Sequence, residues 1–209
     1  MLDVLFSPDR FFRERAEEPG LVGPMLVVSL VGVLGALAAY PASQAIAEAL
    51  PPEAQGFGAV ATVSGVIGAF VGPFVVWILF AAVFHGLSAV LYDGDGSFRD
   101  TFALTGWGFV PAVLTGVVGV VVAFLVWPSV TLDFSDPARA QQAAREIQQR
   151  PEFLVSSVVG LVVLLWRWLL WTFAIQHGRG LSVREAAITV GIPVGLLFLW
   201  RLNGIVGVL

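Results

Sequence analysis

The sequence contains neither cysteine nor lysine, and charged residues of either sign are scarce. The absence of cysteine excludes disulfides, thiolate metal sites and thiol nucleophiles. Only 12% of the 209 residues are charged, whereas 57% are hydrophobic and the mean hydropathy is +0.88. That charged fraction is about half of the usual value for a soluble domain. The composition therefore predicts a membrane protein, and the net charge of −4 gives no indication of a nucleic-acid partner.

Five long apolar runs follow one another along the chain. A spanning helix needs roughly 20 apolar residues, because the hydrocarbon core is about 30 Å thick. All fifteen carboxylates lie outside the runs, as expected in lipid, since an unpaired carboxylate at the bilayer centre costs at least ~2.5–3.5 kcal/mol. We predict an all-α, polytopic protein of the cell membrane, in which an N-terminal segment (1–20) precedes a five-span domain (21–209). The predicted transmembrane helices are 21–40, 59–92, 101–127, 153–176 and 186–209.

The second run is longer than a single span requires. Its 34 residues would extend about 50 Å as a helix. It forms either one long helix kinked at Pro73 or a hairpin bent at Gly72 and Pro73. A hairpin would leave backbone groups without hydrogen-bond partners in lipid, because no polar turn interrupts the run. One helix is therefore the preferred interpretation.

Arginine residues are distributed unevenly between the two sides of the predicted bundle. Cytoplasmic loops of membrane proteins carry an excess of basic residues. The side that includes the N-terminus has six arginines, and the opposite side has three. This distribution predicts a cytoplasmic N-terminus and a C-terminus outside the cell. The six are Arg10, Arg13, Arg15, Arg99, Arg179 and Arg184, and the three are Arg139, Arg145 and Arg150.

The N-terminal segment has the pattern of a short amphipathic helix. Ser7 is a suitable cap, Pro8 suits the first helical position, and Pro19 ends the pattern. Phe11 and Phe12, next to basic residues, are typical of a helix that lies along the inner lipid headgroups. The alternative is a frayed, solvated tail.

The acidic segment that follows the second run does not match a catalytic or metal-binding motif. Counted from Asp93, a calcium loop would need glycine in place of Phe98 and glutamate in place of Leu104. The aspartates lie in one loop and cannot form the facing pair of an aspartyl protease, and two histidines are too few for an ordinary metal cluster. Ser97 and Asp100 instead form a capping-box pattern that starts the third span. We expect no enzyme activity and no cofactor.

Three basic side chains interrupt the apolar runs, namely His85, Arg167 and Arg201. No carboxylate within the runs can pair with either arginine. Each arginine either snorkels to lipid phosphate at a membrane surface or lines a mid-membrane cavity, which would indicate transport. The tryptophans around Arg167 are typical of the membrane interface and favour snorkelling. His85 is interpreted as a hydrogen-bonded packing residue.

Small residues recur at every fourth position in two of the runs. Ser64, Gly68 and Gly72 line one face of the second run, and Gly191 and Gly195 do so in the fifth. Such faces allow helices to approach closely in a bilayer. They either pack the bundle internally, which we favour, or allow self-association or contact with another membrane protein.

Short motifs occur at three places, in "SPDRFFRE", in "GSFRDTFALTGWGFVPAVL" and in "HGRGLSVREAA". Their characteristic residues are Phe11, Phe12, Gly96, Phe98, Arg99, Gly106, Trp107 and Pro111. Together they resemble the signature of the Yip family, the Ypt/Rab-interacting five-span membrane proteins, in its prokaryotic branch. The resemblance implies a non-enzymatic integral membrane protein with a cytoplasmic N-terminus. Eukaryotic members bind small GTPases, but their Asp-Leu-Tyr-Gly-Pro motif is absent here, so the resemblance does not extend to small-GTPase binding.

Two functions are compatible with the sequence. An adaptor or membrane-organising protein would act through its cytoplasmic face, whereas a small transporter or channel would place Arg167 and His85 in a mid-membrane cavity. The sequence favours the adaptor, because no acidic or polar cluster lies at membrane depth. The candidate partner residues of the adaptor are Arg13, Arg99, Arg179 and Arg184.

Overall fold

The structure, a computed structural model, describes residues 3–132 and 137–207 and contains only helices and their connections within them. The α-helices are α1 (Asp3–Phe6), α2 (Pro8–Glu17), α3 (Val22–Glu48), α4 (Gln55–Tyr92), α5 (Phe98–Gly106), α6 (Ala112–Val126), α7 (Pro137–Gln148), α8 (Pro151–Arg179) and α9 (Val183–Val206). The 3-10 turns are Pro52–Ala54, Trp107–Phe109 and Trp127–Ser129. The last two residues of the fifth predicted span and the first two of the N-terminal segment lie outside the described residues.

Five helices in this described part are long and apolar enough to cross a membrane, which confirms the predicted fold class. They lie at Val22–Glu48, Gly56–Tyr92, Ala112–Ser129, Pro151–Arg179 and Val183–Val206. Large apolar side chains on their outer surfaces are exposed, for example Leu79 (58%) and Leu196 (67%). A bilayer would cover such surfaces, since a soluble protein rarely exposes so much contiguous apolar area. The molecule is therefore a multi-pass membrane protein.

The second apolar run forms the single helix α4, which has 38 residues. The predicted single helix is thereby confirmed, and the hairpin does not form. Pro73 lies inside α4. A transmembrane helix tolerates an internal proline where neighbouring groups and small local adjustments satisfy the freed carbonyl. α4 ends before Asp93, whose φ of 49° is left-handed and turns the chain into the connection to α5.

The predicted capping box starts α5. Ser97 Oγ accepts a hydrogen bond from the Asp100 backbone N–H, and the Asp100 carboxylate accepts one from the Ser97 backbone N–H. Two of the N–H groups that have no partner within the helix are thereby satisfied. The helix start that was predicted at this point is confirmed.

The third apolar run is interrupted shortly afterwards. α5 ends at Gly106, and the 3-10 turn Trp107–Phe109 follows. Pro111 has no N–H with which to continue the α-helical ladder, and the Val110 N–H donates to the Trp107 carbonyl instead, at 3.1 Å. The candidate span in this run is therefore Ala112–Ser129, which is shorter than the predicted third span.

The five spanning helices contact one another in a ring. α3 packs against α4 and α6, α8 packs against α6 and α9, and α4 contacts α9. α5 contacts α3, α4 and α8 and fills the interior at one end, where residues 103–109 are all buried. This end also carries α1, α2 and the connections 93–97 and 180–182, and we call it the N-terminal end. The opposite, C-terminal end carries residues 127–132, α7 and the end of α9.

The close contact between α3 and α4 uses small residues other than the predicted ones. A Cβ added to Gly32 would lie 2.6 Å from the Phe70 carbonyl oxygen, so the two backbones are in close contact there. Gly68 and Gly72, in contrast, meet no non-local atom of the described residues within 4 Å of an added Cβ. The prediction that their stripe packs the bundle internally is wrong, because α3 contacts a different face of α4.

Candidate functional site

The connection between α4 and α5 wraps around the side chain of Arg179, the last residue of α8. Arg179 Nε donates to Ser88 Oγ at 2.8 Å, and the two terminal nitrogens donate to the carbonyl oxygens of Gly94 and Gly96 at 2.5 Å each. The Asp95 backbone N–H donates to the Arg179 carbonyl at 3.0 Å. We call these five residues the arginine clamp.

The arginine clamp encloses a guanidinium that is almost fully buried. Arg179 is 2% exposed, and a buried cation is costly unless its N–H groups are paired. Its three hydrogen bonds, the charge of the Asp95 carboxylate and the carboxyl ends of α4 and α8, where partial negative charge collects, all offset this cost. Arg179 therefore cannot present its side chain to a partner, which corrects its prediction as a partner residue.

Two glycines of the Yip-like motif are required by their surroundings. Gly96 has a φ of 81°, and a Cβ there would lie 2.7 Å from the Gly178 carbonyl oxygen. A Cβ on Gly106 would lie 2.6 Å from both Pro24 Cβ and the Trp77 ring. Any other residue would therefore displace backbone or a buried ring at these positions. The first glycine closes the arginine clamp, and the second allows α3 and α4 to approach α5.

Two buried indoles anchor α5. Trp77 Nε1 donates to the Phe102 carbonyl, and Trp171 Nε1 donates to the Thr105 carbonyl, each at 2.8 Å. In an uninterrupted α-helix the Thr105 carbonyl would accept from the Phe109 N–H. The Trp171 indole of α8 donates to this carbonyl at the point where α5 ends and the 3-10 turn begins. The buried Thr105 carbonyl therefore keeps a hydrogen bond despite the break in the third run.

The N-terminal helix α2 docks on the protein. Phe12 is fully buried and Phe11 is 7% exposed, and the Phe11 ring meets the Trp107 ring edge-on at 5.1 Å. His177 Nε2, near the end of α8, donates to Asp9 Oδ1 at 2.8 Å. These contacts correct the prediction that the aromatic face lies along lipid headgroups. The Trp107 surface buries the same rings without requiring lipid.

The docked α2 leaves basic side chains on the surface of the N-terminal end. Arg13 pairs with Asp9 on α2 and still has 64% of its side chain exposed. Arg15 lies over the aromatic rings beneath α2. Arg99 and Arg184 are exposed on the first turns of α5 and α9. Of the predicted partner residues, the structure thus leaves Arg13, Arg99 and Arg184 accessible.

His85 lies close to the arginine clamp. Its Nδ1 is 3.1 Å from Thr101 Oγ1, and its ring meets the Phe98 ring edge-on at 5.6 Å. Its backbone carbonyl accepts from Ser88 Oγ at 2.9 Å. His85 is therefore a hydrogen-bonded packing residue between α4 and α5, as interpreted from the sequence.

A cavity of about 710 Å³ lies at the C-terminal end, between α6, α7, α8 and α9. Its wall combines apolar, hydroxyl and amide side chains with two arginines. His85 does not line it, so this cavity does not combine His85 with Arg167 as the transporter alternative would require. Representative lining residues are Thr115, Trp127, Phe153, Arg167, Arg201 and Asn203.

Arg167 forms the boundary between this cavity and the aromatic core. Its Cζ lies 4.2 Å from the centroid of the Phe109 ring and 4.4 Å from that of Trp171. Its Nε and Nη2 are buried and have no hydrogen-bond partner. The guanidinium therefore faces the bundle interior, and the predicted snorkelling of Arg167 to the lipid interface is wrong.

The charged groups of the N-terminal end either form hydrogen bonds that stabilise the fold or lie exposed on the surface. Ser182 and Glu185 form a second capping box at the start of α9. Within residues 3–132 and 137–207, no three His, Asp or Glu side chains are grouped closely enough to hold a metal ion. The N-terminal end therefore has exposed arginines on a surface that the arginine clamp and buried aromatic side chains hold in place.

Comparison with known proteins agrees with this architecture. A family model described as the Yip1 domain matches residues 2–201. The chain belongs to this family. An uncharacterized protein of the archaeon Methanocaldococcus jannaschii is 30% identical to this Yip1 domain over 125 residues, which are 59% of the chain and 88% of the relative. No solved structure matches the chain.

Most of the predicted Yip motif residues come together at one place in the Yip1 domain. The Phe11 ring contacts Trp107, Gly106 precedes that tryptophan, and Pro111 shapes the turn that holds it. Gly96 belongs to the arginine clamp. Phe98 (44% exposed) and Arg99 lie at the surface.

Several residues that organise this end of the Yip1 domain could not be found from the sequence. Ser88 meets Arg179 across 91 positions, and Asp9 meets His177 across 168. A serine inside an apolar run carries no signal of such a contact. The signal for His177 is weak, since a histidine at the end of a spanning helix is equally compatible with solvent exposure.

Proposed function

We propose that this Yip1 domain is a non-enzymatic cell-membrane protein that acts as an adaptor or membrane organiser through its N-terminal end, which faces the cytoplasm. The observation that carries the proposal is the docking of α2 beside the arginine clamp. Arg13, on the docked α2, lies at the same end of the bundle as Arg99 and Arg184, and all three are exposed. The three belong to different helices, so only the fold brings them to the same end.

The support beneath these arginines favours binding. Phe12 and the buried Arg179 hold α2 and the connection 93–97 in place. A surface that is already ordered loses less conformational freedom when a partner binds. The exposed guanidinium groups favour a partner with a complementary acidic patch, and such contacts raise association rates in a salt-dependent way.

The orientation is part of the proposal. Six of the nine arginines outside the membrane runs belong to the N-terminal side. The excess of basic residues on cytoplasmic loops therefore supports a cytoplasmic N-terminal end.

The cavity at the C-terminal end is the observation that favours a small transporter as the second candidate. The cavity reaches Arg167, but a transporter also needs a path to the other side. Residues 103–109 are buried across the interior at the N-terminal end, and Trp171 is stacked against Phe80 there at 4.9 Å. The adaptor therefore has the stronger support.

Site-specific cross-linking tests the adaptor. A photoreactive amino acid at Val183, which is 50% exposed beside Arg184, should capture a defined protein in cells. We expect that reversal of Arg13, Arg99 and Arg184 to glutamate abolishes that cross-link, because like charges repel an acidic partner. The cross-linked product is identified by mass spectrometry.

The matched control reverses three arginines of the C-terminal end to glutamate, namely Arg139, Arg145 and Arg150. These variants should retain the cross-link, provided that cysteine labelling confirms an unchanged orientation of each protein. Loss of the cross-link only in the C-terminal-end variants, or in an Arg167→Gln variant, would replace the adaptor with the transporter.

A further inference from the structure

The cavity at the C-terminal end has two positive charges and no carboxylate among its described lining residues. Arg167 from α8 and Arg201 from α9 both line it, and the charge of Arg201 acts on that of Arg167. Two like charges repel each other, more strongly in a poorly solvated site than in water. An unpaired arginine at membrane depth costs at least ~2.5–3.5 kcal/mol. The missing component of this site is an anion.

The hydrogen-bonding capacity of Arg167 agrees with this conclusion. Two of its nitrogens, Nε and Nη2, are buried without a partner. This edge of the guanidinium is turned away from the cavity, so a ligand there would meet Arg167 through its third nitrogen, Nη1, and through the charge of the group. The rings of Phe109 and Trp171 lie against the guanidinium and hold it in place.

The two arginines belong to helices that pack against each other, and both line the same cavity. An added Cβ on Gly160 would lie 3.5 Å from Arg201 Nη1, so the Arg201 side chain lies against α8. Gly160 is about 10 Å from Arg167 along that helix, or roughly two turns. Asn203, which also lines the cavity, adds an amide donor. An anionic group between the arginines would thus meet donors from α8 and from α9.

The size and the rim of the cavity indicate an organic ligand. Its volume of about 710 Å³ falls in the range of roughly 300–1,000 Å³ that is usual for small-molecule sites. Trp200 lines the cavity and is 73% exposed, so the rim reaches the apolar surface of α9 that a bilayer would cover. A ligand can therefore place a polar headgroup inside and apolar chains in the surrounding lipid.

We propose that this cavity binds a phosphate group through Arg167 and Arg201. The headgroup of an anionic phospholipid would supply that group from the bilayer, and a soluble phosphate would supply it from the aqueous side. Both sources present the same tetrahedral oxygens to the two guanidinium groups. This binding site is separate from the adaptor surface at the N-terminal end.

Thermal unfolding of the delipidated full-length protein in detergent tests the proposal. The unfolding temperature is followed by tryptophan fluorescence while phosphatidylglycerol, diacylglycerol with the same chains, or inorganic phosphate is titrated. We expect a saturable rise with a phosphate source and none with diacylglycerol. A response to phosphatidylglycerol alone assigns the lipid headgroup, and a response to inorganic phosphate assigns a soluble ligand.

Three variants make the test specific. Arg201→Gln changes an exposed residue and should weaken binding at least about tenfold, because it removes one charge-assisted contact. Arg167→Gln should abolish binding, and without ligand it should unfold at the same or a higher temperature than the unaltered protein, since a cation with two buried, unpartnered nitrogens is gone. Arg145→Gln, on α7 outside the cavity, should bind as the unaltered protein does.

Two results would overturn the proposal. One is the absence of a saturable response to either phosphate source. The other is an equal response in the unaltered protein and in Arg201→Gln and Arg167→Gln, which would show that lipid stabilises the outer surface of the helices instead of the cavity.

Discussion

At the scale of single residues, α8 carries two arginines in opposite states, the buried Arg179 and the half-buried Arg167. Arg179 donates to three acceptors at the end of the helix, whereas Arg167 has two buried nitrogens without a partner. The difference follows from their positions in α8. At a helix end a loop can fold its carbonyls onto the side chain, but inside a helix the neighbouring carbonyls already accept from the backbone ladder.

The arginine clamp yields a stability prediction. Arg179→Gln should lower the free energy of unfolding by about 3 kcal/mol, because the Ser88 hydroxyl and the Gly94 and Gly96 carbonyls lose their buried donor. Arg179→Lys should recover only part of this loss. The ammonium keeps the charge and can donate, but it cannot reach all three acceptors in the planar arrangement of a guanidinium. Urea unfolding in mild detergent, followed by tryptophan fluorescence, measures both variants.

Arg184→Gln is the control for this measurement. Arg184 is exposed and lies close in sequence to the clamp, so its replacement should change the free energy of unfolding by less than about 0.5 kcal/mol. Equal destabilisation by the two glutamine variants would show that overall charge, and not the enclosed guanidinium, determines the stability of this end.

At the scale of elements, the short helices α2 and α5 determine the shape of the N-terminal end. α5 is too short to span a bilayer, and it is buried between α3, α4 and α8. α2 covers Trp107 just beyond the end of α5 through Phe11. An amphipathic helix buries its apolar face against whichever apolar surface lies closest. Here that surface belongs to the protein, which explains why α2 does not require lipid.

Removal of one side chain should undock α2. Phe12→Ala would remove about 3–5 kcal/mol from the free energy that holds α2 on the bundle, because the Phe12 ring is fully buried. Trypsin should then cleave after Arg13 or Arg15 much faster than in the unaltered protein, since proteolysis requires local opening. Gel electrophoresis and mass spectrometry of a digestion series provide the measurement.

The matched control is Phe6→Ala, which truncates the same side chain at a site that is 77% exposed. Its cleavage rate should remain close to that of the unaltered protein. If Phe12→Ala were cleaved no faster than Phe6→Ala, the docking of α2 would have to depend on the contact between Asp9 and His177 instead.

At the scale of the whole molecule, the two ends of the bundle differ in kind. The N-terminal end is filled by the aromatic core and the arginine clamp, whereas the C-terminal end encloses the cavity with Arg167 and Arg201. The packed N-terminal end provides a stable surface for a protein partner, and the cavity of the C-terminal end provides a site for a ligand. The proposed orientation places the first on the cytoplasmic side and the second on the outer side.

Cysteine labelling tests this orientation, because the chain contains no cysteine of its own. Glu17→Cys and Gln141→Cys place single thiols on exposed positions of the N-terminal and C-terminal ends. In intact cells a membrane-impermeant thiol reagent should label Gln141→Cys at once and Glu17→Cys only after permeabilisation. The reverse pattern would invert the orientation and remove the adaptor surface from the cytoplasm.

Features that depend on local sequence could be predicted. Lipid excludes charge, so the positions of the fifteen carboxylates already separate the five spans from their connections. The capping box of Ser97 and Asp100 joins residues only three positions apart. It could be predicted because it depends only on near neighbours in the chain. The 3-10 turn Trp107–Phe109 was not predicted. Pro111 lacks a backbone N–H, and the consequence for the helix depends on which other groups pair with the freed carbonyl.

The sequence by itself determined that this protein is helical, has five segments apolar enough to span a membrane and resembles the Yip family. Only the tertiary structure decided that Arg179 is enclosed, that Arg167 faces a cavity, and that Phe12 is buried by protein instead of lipid. Hydropathy belongs to each residue and its neighbours in the chain, so it can be read along the sequence. The state of a buried cation or ring depends on groups that are distant in the chain, such as Ser88 and Arg179, which are 91 positions apart.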